Sequence, residues 1–497
     1  MKKYLLAVDE GTSSTRAIIF DHSGNKISQA QLPFQQYFPQ PGWVEHDLEE
    51  IWQKTEKVIY LAIKQAKLSV KQISAMGITN QRETSCFWHR QTGDPIGRAL
   101  VWQDRRTHEY CQQLKQAGYE STIQAKTGLI LDPYFSASKI HWILKHHPDA
   151  KQLLAQQQLC FGTIETFLLW KMTRGQSFFT DLTNASRTSL FNIHQLEWDA
   201  ALLALYEIPE AILPTVKDNV GYFGSYQADW MEVPIPIMAL IGDQQSATVG
   251  QACLLPGMLK STYGTGCFLM MNAGTRCPSS THRLLATPLY RLPNQSVCYG
   301  LEGSLFMAGS LIQWLEQMRL LDNPQASMTL AASVQDSGGV VVVPSLTGLG
   351  APYWNPQATG AIFGLTRQTN PAHLVRAALE AIGFQTKEIA ELMVFDSQIA
   401  IQTLQVDGGM ANNIWLLQWL ADCLHVPVKK PDIIETTSIG AAFLAGLGAG
   451  VYGQLNEIQC FHQTTHTYEP LHALESIEPA YQQWKKAVAC VNQMSES

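Results

Sequence analysis

Apolar runs at residues 5–8 and 17–20 flank a polar stretch at 9–16. Short apolar runs bounded by polar residues predict buried strands, so the chain opens as a hairpin. Residues 258–272 repeat the design. A strand-like run ends in Gly264-Thr265-Gly266-Cys267, and a second apolar run follows at 268–271. Further strands are predicted at 73–79, 86–88, 99–102, 234–241, 339–344 and 404–406. Helical patterning fills much of the rest, at 163–172, 372–394 and 414–424 and from about 138 to 145. One helix begins at Asp47, with Glu50 three residues on to complete a capping box, and runs through Ala66. Another is entered through Gly309. Residues 439–451 are small and apolar, which suits a helix packed closely on its neighbours.

The chain of 497 residues exceeds a single core, so two domains are expected. Hydrophobic residues make up 46% and charged ones 15%, enough for ample cores. A net charge of −7 without a dense basic run argues against nucleic-acid binding. Ten cysteines without a repeating spacing fit reduced thiols better than a disulfide framework. Lys2-Lys3 and the run after them imitate a signal peptide, but Asp9 and Glu10 end that run too early. Residues 439–451 fall short of a membrane span. The expectation is a soluble, cytoplasmic protein with no integral membrane association.

Candidate chemistry gathers at the strand ends, where open α/β sheets place ligands. In the first turn Gly11 admits a ligand to the backbone. Thr12, Ser13, Ser14 and Thr15 offer hydroxyls, and Arg16 offers a fixed charge suited to phosphate oxygens. Asp9 could hold a hydrated Mg²⁺. The alternative is a plain surface hairpin with a Ser/Thr turn. The pair Arg82-Glu83 reads either as an exposed ion pair of little worth or as a polyol receptor. Asp243 reads either as a carboxylate pointing into a cleft or as a helix N-cap. Asn184, Ser186 and Arg187 read as structural. Asp407-Gly408-Gly409, between strand and helix, suits a nucleotide. Cys460, His462 and His466 form a weak metal pattern without a fourth ligand, and a loop reading is favoured.

The motifs DEGTSSTR, PGWVEHD, GITNQRET, VWQDRR, DPYFSASKIHWIL, TNASRTSLFNI, GDQQSA, TYGTGCF, EGSLFMAG, TGLGAPYW, GAIFGLTR and VDGG occur in this order. Together they resemble the glycerol kinases of the carbohydrate-kinase family, from about residue 4 to about 489. PGWVEHD and NQRET separate that branch from the pentulose and gluconate kinases. The resemblance implies an α/β fold of two actin/ribonuclease-H-like domains, each a mixed sheet flanked by helices. The active site would lie in the cleft between 1–252, with glycerol, phosphate and base, and 253–497, with ATP. The implied reaction moves the γ-phosphoryl of MgATP to glycerol, giving sn-glycerol 3-phosphate, and a homodimer or homotetramer is implied too. By motif, Arg82, Glu83, Tyr134, Asp243 and Gln244 would bind glycerol between Trp102 and Phe268, with Asp243 as base. Thr12, Ser13, Ser14, Arg16 and Thr265 would touch phosphates. Gly309, Gln313, Gly409 and Asn413 would surround the adenosine, Asn413 being preferred to Asn412 on an ungapped match. Asp9 and Asp243 would face the metal.

Two departures matter. Glu10 replaces a glutamine beside Asp9, and strand alternation should turn it away from the phosphates if Asp9 faces them. Residues 226–233 lack the features through which some relatives bind fructose 1,6-bisphosphate or carry a phosphorylated histidine, so neither control is expected. Two other readings remain: a kinase of another small polyol or ketose, and a non-enzymatic actin-like nucleotide sensor.

Overall fold

A computed structural model describes residues 3–432, 435–461 and 465–496. Two large sheets carry the chain. In the first, the strand order is Lys26–Pro33, Ser14–Asp21, Tyr4–Glu10, Ile73–Asn80, Ile235–Gly242 and Val220–Tyr226. The first three form an antiparallel meander, and the next two extend it in parallel. The second sheet repeats the plan with Cys298–Leu305, Cys267–Gly274, Met258–Tyr263, Thr403–Asp407 and Val428–Pro431. Its antiparallel and parallel pairings follow the same sequence. Helix Leu48–Gln65 flanks the first sheet, and Pro371–Ser397 with Ile414–Leu424 flank the second. The two expected halves are therefore a topological repeat, visible in strand order and faint in the residues.

The first hairpin is tighter than its pattern suggests. Its strands pair Asp9 with Arg16 and Glu10 with Thr15, leaving Gly11, Thr12 and Ser13 as the turn. Ser14, Thr15 and Arg16 are thus strand residues, because ladder formation is a backbone property and their polar side chains find partners. Other boundaries move as well. The strand expected at 99–102 is only Ala99–Leu100, and the helix expected from 138 runs Ser136–His146. Asp47 caps its helix through Glu49 and Glu50 N–H, but Glu50 turns to Gln35 and Lys54, so the box is half made. Strand Lys26–Pro33, unread in the pattern, is largely exposed at the sheet edge and lacks an apolar run.

Helix Thr436–Gly448 follows the fifth strand of the second sheet yet lies against the first one. There Ile439, Ala441 and Leu444 share a core with Leu5, Ala7 and Ile18. It also crosses helix Asp243–Gly250, the corresponding helix of the first half. A Cβ on Gly440 would stand 2.0 Å from the Ser246 carbonyl oxygen, and one on Gly250 1.8 Å from that of Thr436. Only glycine lets these backbones touch. The expected close packing of this small-residue stretch is found, and it is one of the contacts that bind the two halves. Among the described residues no helix is long and apolar enough to cross a membrane.

Candidate active site

Two adjacent parallel strands of the first sheet end at one place. Ile73–Asn80 delivers Arg82 and Glu83, and Ile235–Gly242 delivers Asp243. Asp243 is the first residue of its helix, with Gly242 as the cap, so the N-cap reading fails. Its carboxylate receives its neighbour's Gln244 N–H at 2.7 Å and lies 3.3 Å from Arg82 Nε. The side chain of Asp243 is 31% exposed, against 2% for that of Arg82. Glu83 is held at φ 63°, a strained setting for a non-glycine residue, and its carboxylate accepts from Arg187 Nε at 2.5 Å. The exposed-pair reading of Arg82-Glu83 is therefore wrong: both are buried.

The charges close through a residue of the other half. Glu302, in strand Cys298–Leu305, accepts from Arg82 at 2.7 and 3.1 Å and from Arg187 at 3.1 Å. Burial opposes its ionisation, but Arg187 and Arg82 hold its carboxyl down to about 2. Glu83 goes the other way, because burial outweighs the pull of Arg187 and Arg82. A second buried charge lies in strand Met258–Tyr263, where Lys260 donates to Gln244 Oε1 at 2.5 Å. Burial lowers the Lys260 pKa, opposed by Asp407 and Asp243.

Above this cluster three aromatic rings form a wall. Trp102 meets Tyr134 edge-on at 5.5 Å and Phe268 at 6.5 Å. Its indole N–H donates to Thr12 Oγ1 at 3.0 Å, tying the wall to the first turn. Thr12, Trp102, Tyr134, Gln244, Thr265 and Phe268 all line one cavity of about 790 Å³. Arg82 and Glu83 do not belong to its wall.

The two turns expected to hold phosphate are open. Ser13, Gly264 and Thr265 are exposed, while Thr12 is half-buried. The second turn is fastened from behind, since the Thr265 carbonyl accepts from the N–H groups of Ala308 and Ser310 and the Gly264 carbonyl from that of Gly309. Ser14 is engaged by Gln31. Arg16 is engaged by Glu435 at 2.9 Å and lies 3.4 Å from Asp9. Residues 435–438 bridge both sheets, for Thr436 bonds Asp407, Ser438 bonds Asp9 at 3.0 Å and the Thr437 carbonyl accepts from Ser246.

Of the residues expected around an adenosine, Gln313 is exposed, Gly309 begins its helix, and a Cβ on Gly409 would meet nothing within 4 Å. Asn413 caps helix Ile414–Leu424 through Leu416 N–H and reaches Ser327. Asn412 is exposed and accepts from Lys430. Asp9 is 5% exposed and its pKa is raised, first by burial and then by Asp243 among other neighbours. With Asp243 near enough to contribute to that rise, the two residues offer a pair of carboxylates, a donor set that fits a hydrated divalent cation. Glu10 is fully buried against Thr55 and burial pushes it up to about 8, so it is mostly protonated at neutral pH. Cys460's side chain and His462 lie outside the described residues, and no metal-holding group of His, Cys, Asp or Glu occurs among the described ones.

Sequence reasoning read Arg187 as structural and gave no role to Glu302, Lys260 or Gln245, the last of which donates to Thr287 and accepts from Arg82 at 3.2 Å. A signal existed: Glu302 and Lys260 are lone charges inside apolar strands, and such residues are almost never buried without partners.

Known proteins resemble the chain in sequence and fold. Residues 4–250 match the FGGY family of carbohydrate kinases, N-terminal domain, and residues 259–449 match its C-terminal domain. A glycerol kinase of Coxiella burnetii is 50% identical over 490 residues, covering 98% of this chain and 97% of the relative. The crystal structure of Plasmodium falciparum glycerol kinase with ADP superposes with a TM-score of 0.94 at 35% identity, over 98% of both chains. A ligand-bound xylulose kinase of Lactobacillus acidophilus reaches a TM-score of 0.89 at 20% identity over 98% of both chains, a likeness of fold.

Proposed function

The chain belongs to the FGGY family of carbohydrate kinases, and on that premise we propose that it is a glycerol kinase. It transfers the γ-phosphoryl of MgATP to glycerol, yielding sn-glycerol 3-phosphate and ADP. The observation that carries this reading is identity of about half to glycerol kinases over nearly the whole chain. The wall of Trp102, Tyr134 and Phe268 supports it. The three rings give the cavity an apolar side suited to the carbon edge of a three-carbon polyol.

The work divides between the two ends of the cleft. Arg82, Glu83, Tyr134 and Gln244 orient the hydroxyls, while Trp102 and Phe268 exclude water and larger acceptors. Asp243, the exposed carboxylate of the buried cluster, receives the proton of the attacking hydroxyl, with Arg82 holding it in place. Thr12, Ser13, Ser14, Arg16 and Thr265 receive the phosphates, so phosphoryl transfer rests on positioning and charge neutralisation. Gly309, Gln313, Gly409 and Asn413 receive the adenosine. Mg²⁺ would be held by Asp9, through water, and Asp243, and would supply neutralisation of the phosphate charge. Residues 1–252 carry the acceptor and base, and 253–497 the nucleotide. The enzyme works in the cytoplasm, in keeping with free thiols at nine described cysteines, as a homodimer or homotetramer by family likeness.

An acceptor panel tests the reading. ADP release with glycerol should far exceed that with xylulose, ribulose or gluconate at equal concentrations. A preference for any of these sugars would make the chain a sugar kinase of the same fold. ADP release indifferent to every acceptor would favour a nucleotide-binding protein without a polyol site.

A further inference from the structure

We propose that Glu302 is a positioning residue for the acceptor. It comes from the second half of the chain and fixes the Arg82 guanidinium of the first, so the polyol site is complete only with the halves together. This rests on the glycerol-kinase reading and names a residue that no acceptor motif contains.

The argument is one of donors. A guanidinium has five N–H bonds in a rigid plane. Three of Arg82's go to Glu302 and Gln245, at 2.7, 3.1 and 3.2 Å, and its Nε faces Asp243 at 3.3 Å. The bidentate pair with Glu302 sets the plane of the fork, and that plane decides where the remaining donor points and how Asp243 is met. The same carboxylate takes Arg187, which in turn holds Glu83. Glu302 thus orders both members of Arg82-Glu83 at once, from 1% exposure. Its strand also bears Leu305, beside Phe268 in the cavity lining. Among the described residues, no side-chain hydrogen bond of Glu302, Arg82 or Arg187 goes to the open turns or to the residues proposed for the adenosine, so loss of the Glu302 charge should be felt by the acceptor and not by the nucleotide.

The test uses the full chain. Glycerol and ADP affinities are measured separately by calorimetry, with steady-state KM values for glycerol and ATP and a thermal melt. Glu302→Gln keeps the shape and removes the charge. It is expected to weaken glycerol about tenfold or more, as loss of one partner of a buried charge pair does, with ADP affinity within about twofold. A folded Glu302→Gln with unchanged glycerol affinity overturns the proposal. So does equal weakening of both ligands, the mark of a merely structural role. Should Glu302→Gln not fold, Glu302→Asp keeps the charge and shortens its reach. It should then weaken glycerol alone, by about threefold to tenfold, and unchanged glycerol affinity in it overturns the proposal equally. A native chain that neither binds nor phosphorylates glycerol would overturn the kinase reading and this proposal with it. A native chain that does so beside an insensitive variant overturns this proposal alone.

Discussion

The two ends of the cleft are built on opposite principles. At the proposed acceptor end Arg82, Glu83, Arg187 and Glu302 are buried and bonded to one another, and of this charged cluster only Asp243 has an exposed edge. At the proposed phosphate end Ser13, Gly264 and Thr265 stand in the open on two turns, and Arg16 is held by Glu435. A small neutral polyol offers few contacts, so its receptor must be ordered beforehand, and burial of a paired network does that. A polyphosphate brings charge and many acceptors of its own, so open turns suffice and can close on it. The lesson is that order is placed where the ligand is least able to impose it.

Substitutions at the acceptor end should therefore act on chemistry or on glycerol and leave the nucleotide alone. The largest effect belongs to Asp243→Asn, which keeps size and hydrogen bonding but cannot take a proton. Its kcat should fall by roughly 10²–10⁴-fold, the usual loss of a positioned base. Gly242 is the cap of that helix, so a folded Asn variant retaining most of its kcat would remove Asp243 from the reaction. Next comes Trp102→Ala, which deletes contact present before and during transfer. The KM for glycerol should rise roughly tenfold with kcat within about threefold. A comparable rise in the KM for ATP would show that the bond to Thr12 matters more than the wall and would blur the division between the ends.

The smallest effect concerns Glu10, which lies under the phosphate turn without serving it. Its folded pKa of about 8 stands above the ordinary 4.5, so folding takes up a proton between these values. Stability therefore falls as pH rises through that window, from full retention of this contribution below about 4.5 to its loss above about 8. Glu10→Gln removes the dependence. From pH 5 to 9 the Tm of the native chain should drop relative to the variant by roughly 2–4 °C, while activity at pH 7 stays within about twofold. Parallel Tm curves would mean that Glu10 is ionised in the folded chain and does place charge near the turn.

Local patterns carried much of this. The two hairpins, the strands before Arg82 and Asp243 and the helix after Asp407 all follow from apolar runs and turn residues close in sequence. Motif likeness then gathered Trp102, Tyr134, Gln244 and Phe268, which line one cavity. What stayed illegible is non-local. Arg82 and Glu302 are 220 residues apart, and nothing in either segment names the other. Arg187 looked structural because its partners, Glu83 and Glu302, come from distant strands. The bridge at 435–438 was hidden for the same reason, since its partners Asp9, Arg16, Ser246 and Asp407 span both halves. The strand Lys26–Pro33 escaped because an exposed edge needs no apolar signal.

The most direct test follows the phosphorus itself. Purified chain with MgATP and glycerol, watched by phosphorus NMR, should convert the γ-phosphate into a glycerol monophosphate ester at the rate ADP appears. That product should be oxidised by a dehydrogenase specific for sn-glycerol 3-phosphate. ADP accumulating with inorganic phosphate instead, at the same rate with and without glycerol, would contradict the account.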